Sequence, residues 1–501
     1  MKYAALSSSQ ISYIGYIISL GDIFVKHYYF YLTNNVLVLL TNGKTKDILN
    51  IIIHFLREQS MIWFSKDDID EIDSCPDYSH LTGQDSKLKA IGLDVAKKST
   101  AFRALSRDAL NYKRKAAYRK RTRNTLTDSK VILFSTFDGR FYGDSPRAIY
   151  EYMLTDSRFD DFVFIWAFRR PQDFKFLLDN KNTYIVQVGT PEYDLTCATA
   201  KYWLFNSRVG DYIYPKDDQV YVQLWHGTPL KRLGYDIIKS DNAMNSKIEI
   251  QHKYKIDAKK FKYILVPSDF AKEKFISAWN LKAFGKEDAV IAKGYPRNDF
   301  LFHYTDEDVK SIKDELGLPE DKKVILYAPT WRDNQHSSDV GYTYEIEADF
   351  DKLRELISDE YIILFRAHYL VANKFNFEKY KGFIWDVSGV EDINRLYIAS
   401  DMLITDYSSV FFDYANLKRP IIFYMYDYNS YANKIRGFYV NTDELPGQIV
   451  LTTDKLAKAI KGIDLESFDF DKKYPEFANR FNYLDDGNAS KRVAETVIEE
   501  I

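Results

Sequence analysis

The 501-residue chain holds only two cysteines, Cys75 and Cys197, far apart in sequence. Two isolated thiols build neither a disulfide framework nor a cysteine metal site, and such usage fits a reducing compartment. Long apolar runs are missing too. A helical span needs ~18 or more uninterrupted apolar residues, and the best stretch, 11–25, is broken by Asp22. Residues 1–10 lack the charged, apolar, then small order of a secretory leader. These absences predict a protein that is soluble or peripheral to a membrane. An excess of one charge is also lacking: 69 Lys and Arg against 72 Asp and Glu leave a net charge of −3. The chain as a whole is therefore not built to hold nucleic acid. There is no P-loop, GxGxxG, HExxH or paired CxxC, which argues against an ATPase, a dinucleotide dehydrogenase and a zinc hydrolase. No serine nucleophile elbow is visible. No carboxylate cluster for a metal stands out, so the expectation is no metal site and no required cofactor, with a loosely held Mg²⁺ left open.

What is present is globular in kind. Apolar residues make up 46% and charged residues 28%, and the length calls for two or three domains. Residues 1–80 read as a small α/β domain. It has strands at 11–20, 23–32 and 35–40, a helix at 47–57, and His27, His54 and His80 in structural or surface positions. Residues 81–129 read as a helical linker. Within it, 97–123 carries 11 Lys or Arg and a single acid, Asp108, with Phe102, Leu105, Ala109, Tyr112 and Ala116 at helical spacing. A basic helix with an apolar stripe suits an anionic membrane surface; packing of the stripe on its own domain is the alternative.

From residue 131 the pattern alternates. Strands are expected at 131–135, 162–168, 183–188, 201–205, 220–225, 262–266 and 289–293. A second series follows at 323–328, 361–366, 383–387, 401–405, 420–424 and 448–451. Helices fit between them, among them 147–154, 172–180, 408–417 and a final one from 490. The fold class is therefore α/β, with two doubly wound Rossmann-like lobes, 130–300 and 301–501, whose carboxyl edges face a shared cleft.

The chemistry gathers at those edges. The stretch VYVQLWHGTPLKRLGYD, 220–236, ends a strand at His226, whose imidazole takes a proton near neutral pH. Gly227 permits close backbone approach, and Lys231 and Arg232 add positive charge. Arg297, in GYPRND, is suited to gripping a phosphate; Thr330 offers a hydroxyl after strand 323–328. Arg366 and His368 share one side of an extended segment, a cation beside a titratable ring. Ser408 and Ser409 open a helix whose N-terminus favours an anion. Asp413, one turn on, is placed to reach ribose hydroxyls. Asp144 or Ser145 is expected to cap the helix that accepts Pro146 in its first turn.

With these residues in place the chain resembles the CDP-glycerol glycerophosphotransferase family, the teichoic acid primases and polymerases and related capsule polymerases. The matching pieces are VILFSTFDGRFYGDSPRAIYEYM (131–153), LWHGTPLKRLG (224–234), GYPRND (294–299), YAPTWRD (327–333), RAH (366–368), SDMLITDYSSVFFDYANLKRPIIFY (400–424) and RGFY (436–439). The resemblance implies a glycosyltransferase-B-like fold. It also implies transfer of glycerol phosphate or ribitol phosphate from CDP-glycerol or CDP-ribitol to a lipid-linked polymer acceptor, on an undecaprenyl diphosphate or a glycolipid. The setting it implies is the cytoplasmic face of a bacterial membrane. His226 resembles the family's catalytic histidine and His368 its second important one. Gly227, Thr228, Pro229, Arg297, Pro329, Thr330, Arg366, Ser408, Ser409 and Asp413 resemble positions that hold the CDP-alditol. A sugar-nucleotide glycosyltransferase of the same fold and a non-enzymatic polymer-binding scaffold are the alternatives.

Overall fold

The structure, a computed structural model, describes residues 29–33, 36–40, 100–238, 247–330, 336–337, 341–342, 348–366, 375–428, 437–465, 467–468 and 473–498. The strand expected at 11–20, the helix at 47–57, and His27, His54, His80 and His368 lie outside these residues. Two compact units divide the chain at 114/115. In the first, β1 (Tyr29–Thr33) and β2 (Val36–Leu40) pair antiparallel. A 23-residue helix, α1 (Thr100–Thr122), leads into the second.

The second unit opens with β3 (Asp128–Ser135), α2 (Asp144–Thr155), β4 (Val163–Phe168), β5 (Thr183–Gln187), α3 (Pro191–Thr199), β6 (Ala200–Phe205) and β7 (Val220–Gln223). It continues through α4 (Lys247–Lys260), β8 (Tyr263–Val266), α5 (Asp269–Ala278) and β9 (Val290–Ala292). These strands form one seven-stranded sheet, ordered β5-β4-β3-β6-β7-β8-β9, and every pair is parallel. Parallel sheets need both faces covered, so their strands read as continuous apolar runs. In β3, Ile132 and Phe134 enter one core and Val131 and Leu133 the other.

After α6 (Phe300–His303) and α7 (Asp306–Glu315) comes the second lobe. Its elements are β10 (Lys323–Ala328), a short hairpin β11 (His336–Ser337) and β12 (Gly341–Tyr342), α8 (Phe350–Ile357), β13 (Tyr361–Phe365), β14 (Ile384–Asp386), α9 (Ile393–Ala399), β15 (Met402–Thr405), α10 (Val410–Tyr414), β16 (Ile421–Tyr424), β17 (Gln448–Val450), α11 (Thr453–Lys461) and α12 (Lys473–Phe481). Its six-stranded sheet, β14-β13-β10-β15-β16-β17, is also parallel throughout. In both sheets the strand order reverses beside the first strand. Ligands of doubly wound folds bind in the crevice at such a reversal.

The lobes are laced together. Leu230, just past the first sheet, sits in the core of the second lobe, and Lys231 bridges antiparallel to Phe438. The final helix, α13 (Ala489–Val497), was expected with residues 301–501; its Val493, Ala494 and Val497 instead pack into the first lobe. Asp299 fixes its start, accepting from the Ala489 and Ser490 amides at 2.8 and 2.7 Å.

Three local expectations shift. Residues 171–179 form 3₁₀ turns rather than an α-helix, kinked at Phe174, whose ring stacks on Phe168 at 4.0 Å: packing overrides propensity there. The helix expected at 408–417 is α-helical over five residues, then 3₁₀, and stops at Lys418 in a left-handed conformation shortly before Pro420. The first turn of α2 has Gly143 at its N-cap and no side-chain bond from that cap; Asp144, left-handed with φ +57°, accepts the Ser145 amide at its Oδ1, 2.6 Å away.

Candidate active site

His226 lies three residues past β7. Trp225 adopts φ +53°, a strained conformation for a bulky residue. It is held there by its amide donating to buried Gln223 Oε1 at 3.0 Å and by packing against Trp279, Phe275 and Tyr254. After this bend the His226 ring stacks on Trp225 at 4.3 Å. His226 Nδ1 lies 2.9 Å from the Asn206 carbonyl oxygen. A carbonyl can only accept, so Nδ1 carries the proton and Nε2 of the neutral ring keeps its lone pair. The residue is solvent-exposed on one side and hemmed in by protein on the others. That crowding, the largest influence, holds its pKa below the ordinary 6.5. Arg297 acts in the same direction; the Asn206 carbonyl and Asp144 oppose it. His226 is therefore an unprotonated base at neutral pH.

The loops around it are cross-linked. Asn206 Oδ1 accepts from the Phe137 amide at 2.7 Å, and Ser207 Oγ from the Asp138 amide at 2.9 Å. The second lobe repeats the device with a carboxylate. Asp406 Oδ1 accepts from the amides of Thr330 (2.7 Å) and Tyr407 (2.6 Å), while Thr405 Oγ1 donates to the Ala328 carbonyl. Pro329, Thr330, Ser408 and Ser409, all part-exposed, are thereby gathered at one sheet edge.

Gly227 joins the two edges. A Cβ placed on it would stand 3.0 Å from Ser409 Oγ and 4.0 Å from Arg297 Nη2, so only glycine lets the loop come so close. Thr228 and Pro229 beside it are buried. Arg297 is buried and forks onto Asp413, with Nη2 2.9 Å from Oδ2 and 3.0 Å from Oδ1, and Nε 3.2 Å from Oδ2. From sequence these two were separate ligand contacts; the structure pairs them across the lobes. Asn298 Nδ2 donates to Asp413 Oδ1 and to Asp485 Oδ2, and burial pushes the Asp485 carboxyl up to about 6. Among the described residues Arg297 Nη1 has no hydrogen bond, and it stands 3.6 Å from Asp144 Oδ1. Arg366 donates Nη1 to the Val390 and Val387 carbonyls at 2.5 and 3.4 Å.

An open cavity of about 290 Å³ adjoins Arg297 between the lobes; Asp144, Arg147, Glu151, Asp392 and Asn394 are among its walls, and His226, Ser408 and Ser409 are not. Among the described residues no group of three or more His, Cys, Asp or Glu is placed to hold a metal. No described helix is long and apolar enough to cross a membrane.

Sequence reading missed Asn206, Asp144, Asp406 and Asn298 as working parts. Asp144, Asp406 and Asn298 lie inside the quoted motifs, but nothing local marks an amide or carboxylate whose partner is 76 to 153 residues away. Asn206 follows a buried strand at the carboxyl edge, the one signal that pointed to it.

Residues 116–499 match the family described as CDP-Glycerol:Poly(glycerophosphate) glycerophosphotransferase. The teichoic acid poly(glycerol phosphate) polymerase of Bacillus subtilis (strain 168) is 38% identical over 372 residues, 74% of this chain and 49% of that one. This chain thus spans about half the length of that relative. The teichoic acid glycerol-phosphate transferase of Staphylococcus aureus (strain NCTC 8325 / PS 47) is 36% identical, over 75% of this chain and 94% of its own. The wall teichoic acid polymerase TagF superposes with a TM-score of 0.69 at 34% identity, covering 81% of this chain and 98% of that structure. Two parallel-sheet lobes, the motif-bearing loops meeting at Gly227 and a match across most of the sequence agree: the chain belongs to the CDP-glycerol:poly(glycerophosphate) glycerophosphotransferase family.

Proposed function

We propose that this protein transfers glycerol phosphate or ribitol phosphate from a CDP-alditol to the terminal hydroxyl of a lipid-linked teichoic acid acceptor, releasing CMP. The observation that carries this reading is the fixed tautomer of His226. Its Nδ1 is committed to Asn206, which leaves a basic Nε2, and the next residue, Gly227, packs against Ser409 of the other lobe. His226 removes the proton from the acceptor hydroxyl, and the oxygen bonds to the β-phosphorus. The bond from that phosphorus to the bridging oxygen breaks, and CMP departs with the electron pair. Such transfer is mostly positioning and charge stabilisation. Arg297, Arg366, Ser408, Ser409 and the Gly227, Thr228, Pro229, Pro329 and Thr330 loops hold the donor in this reading. Asp413 orients Arg297 through the fork and stands beside the ribose. His368 is assigned a donor-side role on family likeness alone. The residues supply cations and amides where a metal would otherwise sit, so no cofactor is invoked.

The basic helix supports work at the inner membrane surface. Tyr118 packs inward, edge-on to Tyr212 at 6.2 Å, and Lys115 lies over the Tyr214 ring at 4.1 Å, while Tyr112 and Ala116 of the apolar stripe stay exposed. Arg119, Lys120 and Arg123 stay exposed as well. Exposed bases favour anionic headgroups by about 1 kcal/mol each.

The test incubates the purified protein with CDP-glycerol, CDP-ribitol or a UDP-sugar and a lipid-linked acceptor, reading CMP release and product length. Acceptor-dependent CMP release with one CDP-alditol is expected. Turnover confined to the sugar nucleotide, or donor binding without turnover, overturns the reading.

A further inference from the structure

Directly before the last residues of the site's aromatic wall, the backbone does something rare. Phe137, Asp138 and Gly139 all have positive φ, +46°, +59° and +76°, three left-handed residues in a row. Each non-glycine residue held this way costs roughly 1–2 kcal/mol. Such strain persists where surrounding structure fixes it, and it marks places where a side chain must be aimed. Here the turn is fixed four ways. The Phe137 and Asp138 amides donate to Asn206 and Ser207, and the Gly139 and Arg140 amides both donate to the Thr136 carbonyl, at 3.0 and 3.1 Å. Gly139 admits no side chain: a Cβ would sit 2.7 Å from Val188 Cγ2 and 2.9 Å from the Ala167 carbonyl oxygen.

The turn carries Phe137 to His226. The two ring centroids are 5.6 Å apart at 56°, and Phe141 meets Phe137 edge-on at 6.1 Å. Phe141 is 38% exposed. Arg140, between them in sequence, is exposed and makes no side-chain hydrogen bond or ion pair among the described residues. The other approaches to the imidazole are taken. Trp225 covers one face, the Asn206 carbonyl closes the Nδ1 edge, and Gly227 leads straight to Ser409 and Arg297, the side given above to the donor.

We propose that the left-handed turn 137–139, with Arg140 and Phe141, forms the acceptor subsite, which seats the hydroxyl-ended terminus of a poly(alditol phosphate) chain. The rings of Phe137 and Phe141 pack against the carbon skeleton of the terminal alditol and hold its hydroxyl toward His226 Nε2. Arg140 pairs with the first phosphodiester behind it. Aromatic rings suit the C–H faces of polyols, and an unpaired guanidinium suits a phosphodiester. The subsite rests on the proposed transferase reading, since it names the substrate that reading requires.

The experiment measures CMP release against soluble hydroxyl-ended acceptors bearing zero, one or two glycerol phosphate units, alongside calorimetric binding of CDP-glycerol. Arg140→Gln is expected to raise the acceptor KM about fivefold, the upper range for one exposed charge pair, for acceptors that carry a phosphodiester and not for the one that carries none. Phe141→Ala is expected to raise the acceptor KM about two- to tenfold for all three acceptors. Donor affinity stays at the wild-type value in both. Phe137→Leu, which keeps the apolar volume and backbone, checks the inner ring without risking the turn; a raised acceptor KM is expected there too. Wild-type acceptor KM in Arg140→Gln and Phe141→Ala, or a loss of CDP-glycerol affinity matching the rise in KM, overturns the subsite. No turnover by the unaltered protein with any acceptor would instead strike the transferase reading itself.

Discussion

The two sheet edges solve one positioning problem with different chemistry. In each lobe the first strand of the sheet and the neighbour across the reversal of strand order end in loops that must be held together. In the first lobe a neutral amide, Asn206, does this, and the loops it ties are aromatic and strained: Phe137, Trp225 and, between them, His226. In the second lobe a carboxylate, Asp406, ties loops that are small and polar: Pro329, Thr330, Ser408 and Ser409. An amide beside His226 adds no charge, so the imidazole keeps the low pKa that crowding gives it. A carboxylate at the other edge gathers the amide dipoles of Thr330 and Tyr407. In the proposed reading one edge places a base and the other presents donors to an anion.

The largest effect is expected at the base. His226→Ala should lower turnover by about 10²–10⁴, the usual span for a general base, while CDP-glycerol binding measured by calorimetry changes little. Undiminished CMP release in that variant would make the first edge a scaffold rather than a catalytic one.

The ties come next. Asp406→Ala strands two amides, one of them buried, and should cost roughly 1–3 kcal/mol in a denaturant titration. Asn206→Ala strands one amide and removes a neutral acceptor, and should cost about 1 kcal/mol. The two should also separate kinetically, with Asp406→Ala raising the donor KM and Asn206→Ala the acceptor KM. Equal effects on both constants would erase the division of labour between the edges.

These ties mark what the chain reveals by itself and what it hides. Both sheets were legible because β-branched and aromatic runs such as 131–135 and 361–365 are buried on two faces and bounded by turn residues, a pattern carried by neighbouring positions. His226, Ser408 and Ser409 were legible because they stand where such runs stop. The Arg297–Asp413 fork was not, because it is a contact between residues 116 apart whose separate chemistries each suggested a ligand. Asp144 reads as a helix cap, its commonest use in that context; with φ +57° its Oδ1 accepts the Ser145 amide at 2.6 Å and also stands 3.6 Å from Arg297 Nη1, a distant contact that nothing local marks. The destination of α13 was hidden for a similar reason: an apolar face shows that a helix packs, not on which lobe.

A smaller effect is expected in the pH profile. Crowding and Arg297 lower the His226 pKa, so the base form is retained at neutral pH and lost as pH falls through a value below 6.5. The acid limb of kcat/KM should bend there. Asp144 opposes the shift, so Asp144→Asn should move the limb further toward acid. A limb above 6.5, or one moved toward base by that substitution, would contradict the electrostatics assigned to the first edge.

The smallest quantity is the coupling across the seam between the edges. Gly227→Ala puts a Cβ 3.0 Å from Ser409 Oγ, tighter than an ordinary contact, yet a serine side chain can rotate aside. Gly227 also holds φ +158°, a backbone that side chains rarely adopt, so stability should fall by roughly 1–3 kcal/mol while turnover drops because Ser409 no longer faces the donor. Ser409→Ala removes the oxygen and leaves its Cβ at 3.6 Å, an unstrained distance. If the seam is real, the second substitution costs little in the background of the first, so their turnover losses combine to less than their sum in ΔΔG‡. Strict additivity would mean that the glycine and the serine act apart, and that the two lobes meet at Gly227 without working there together.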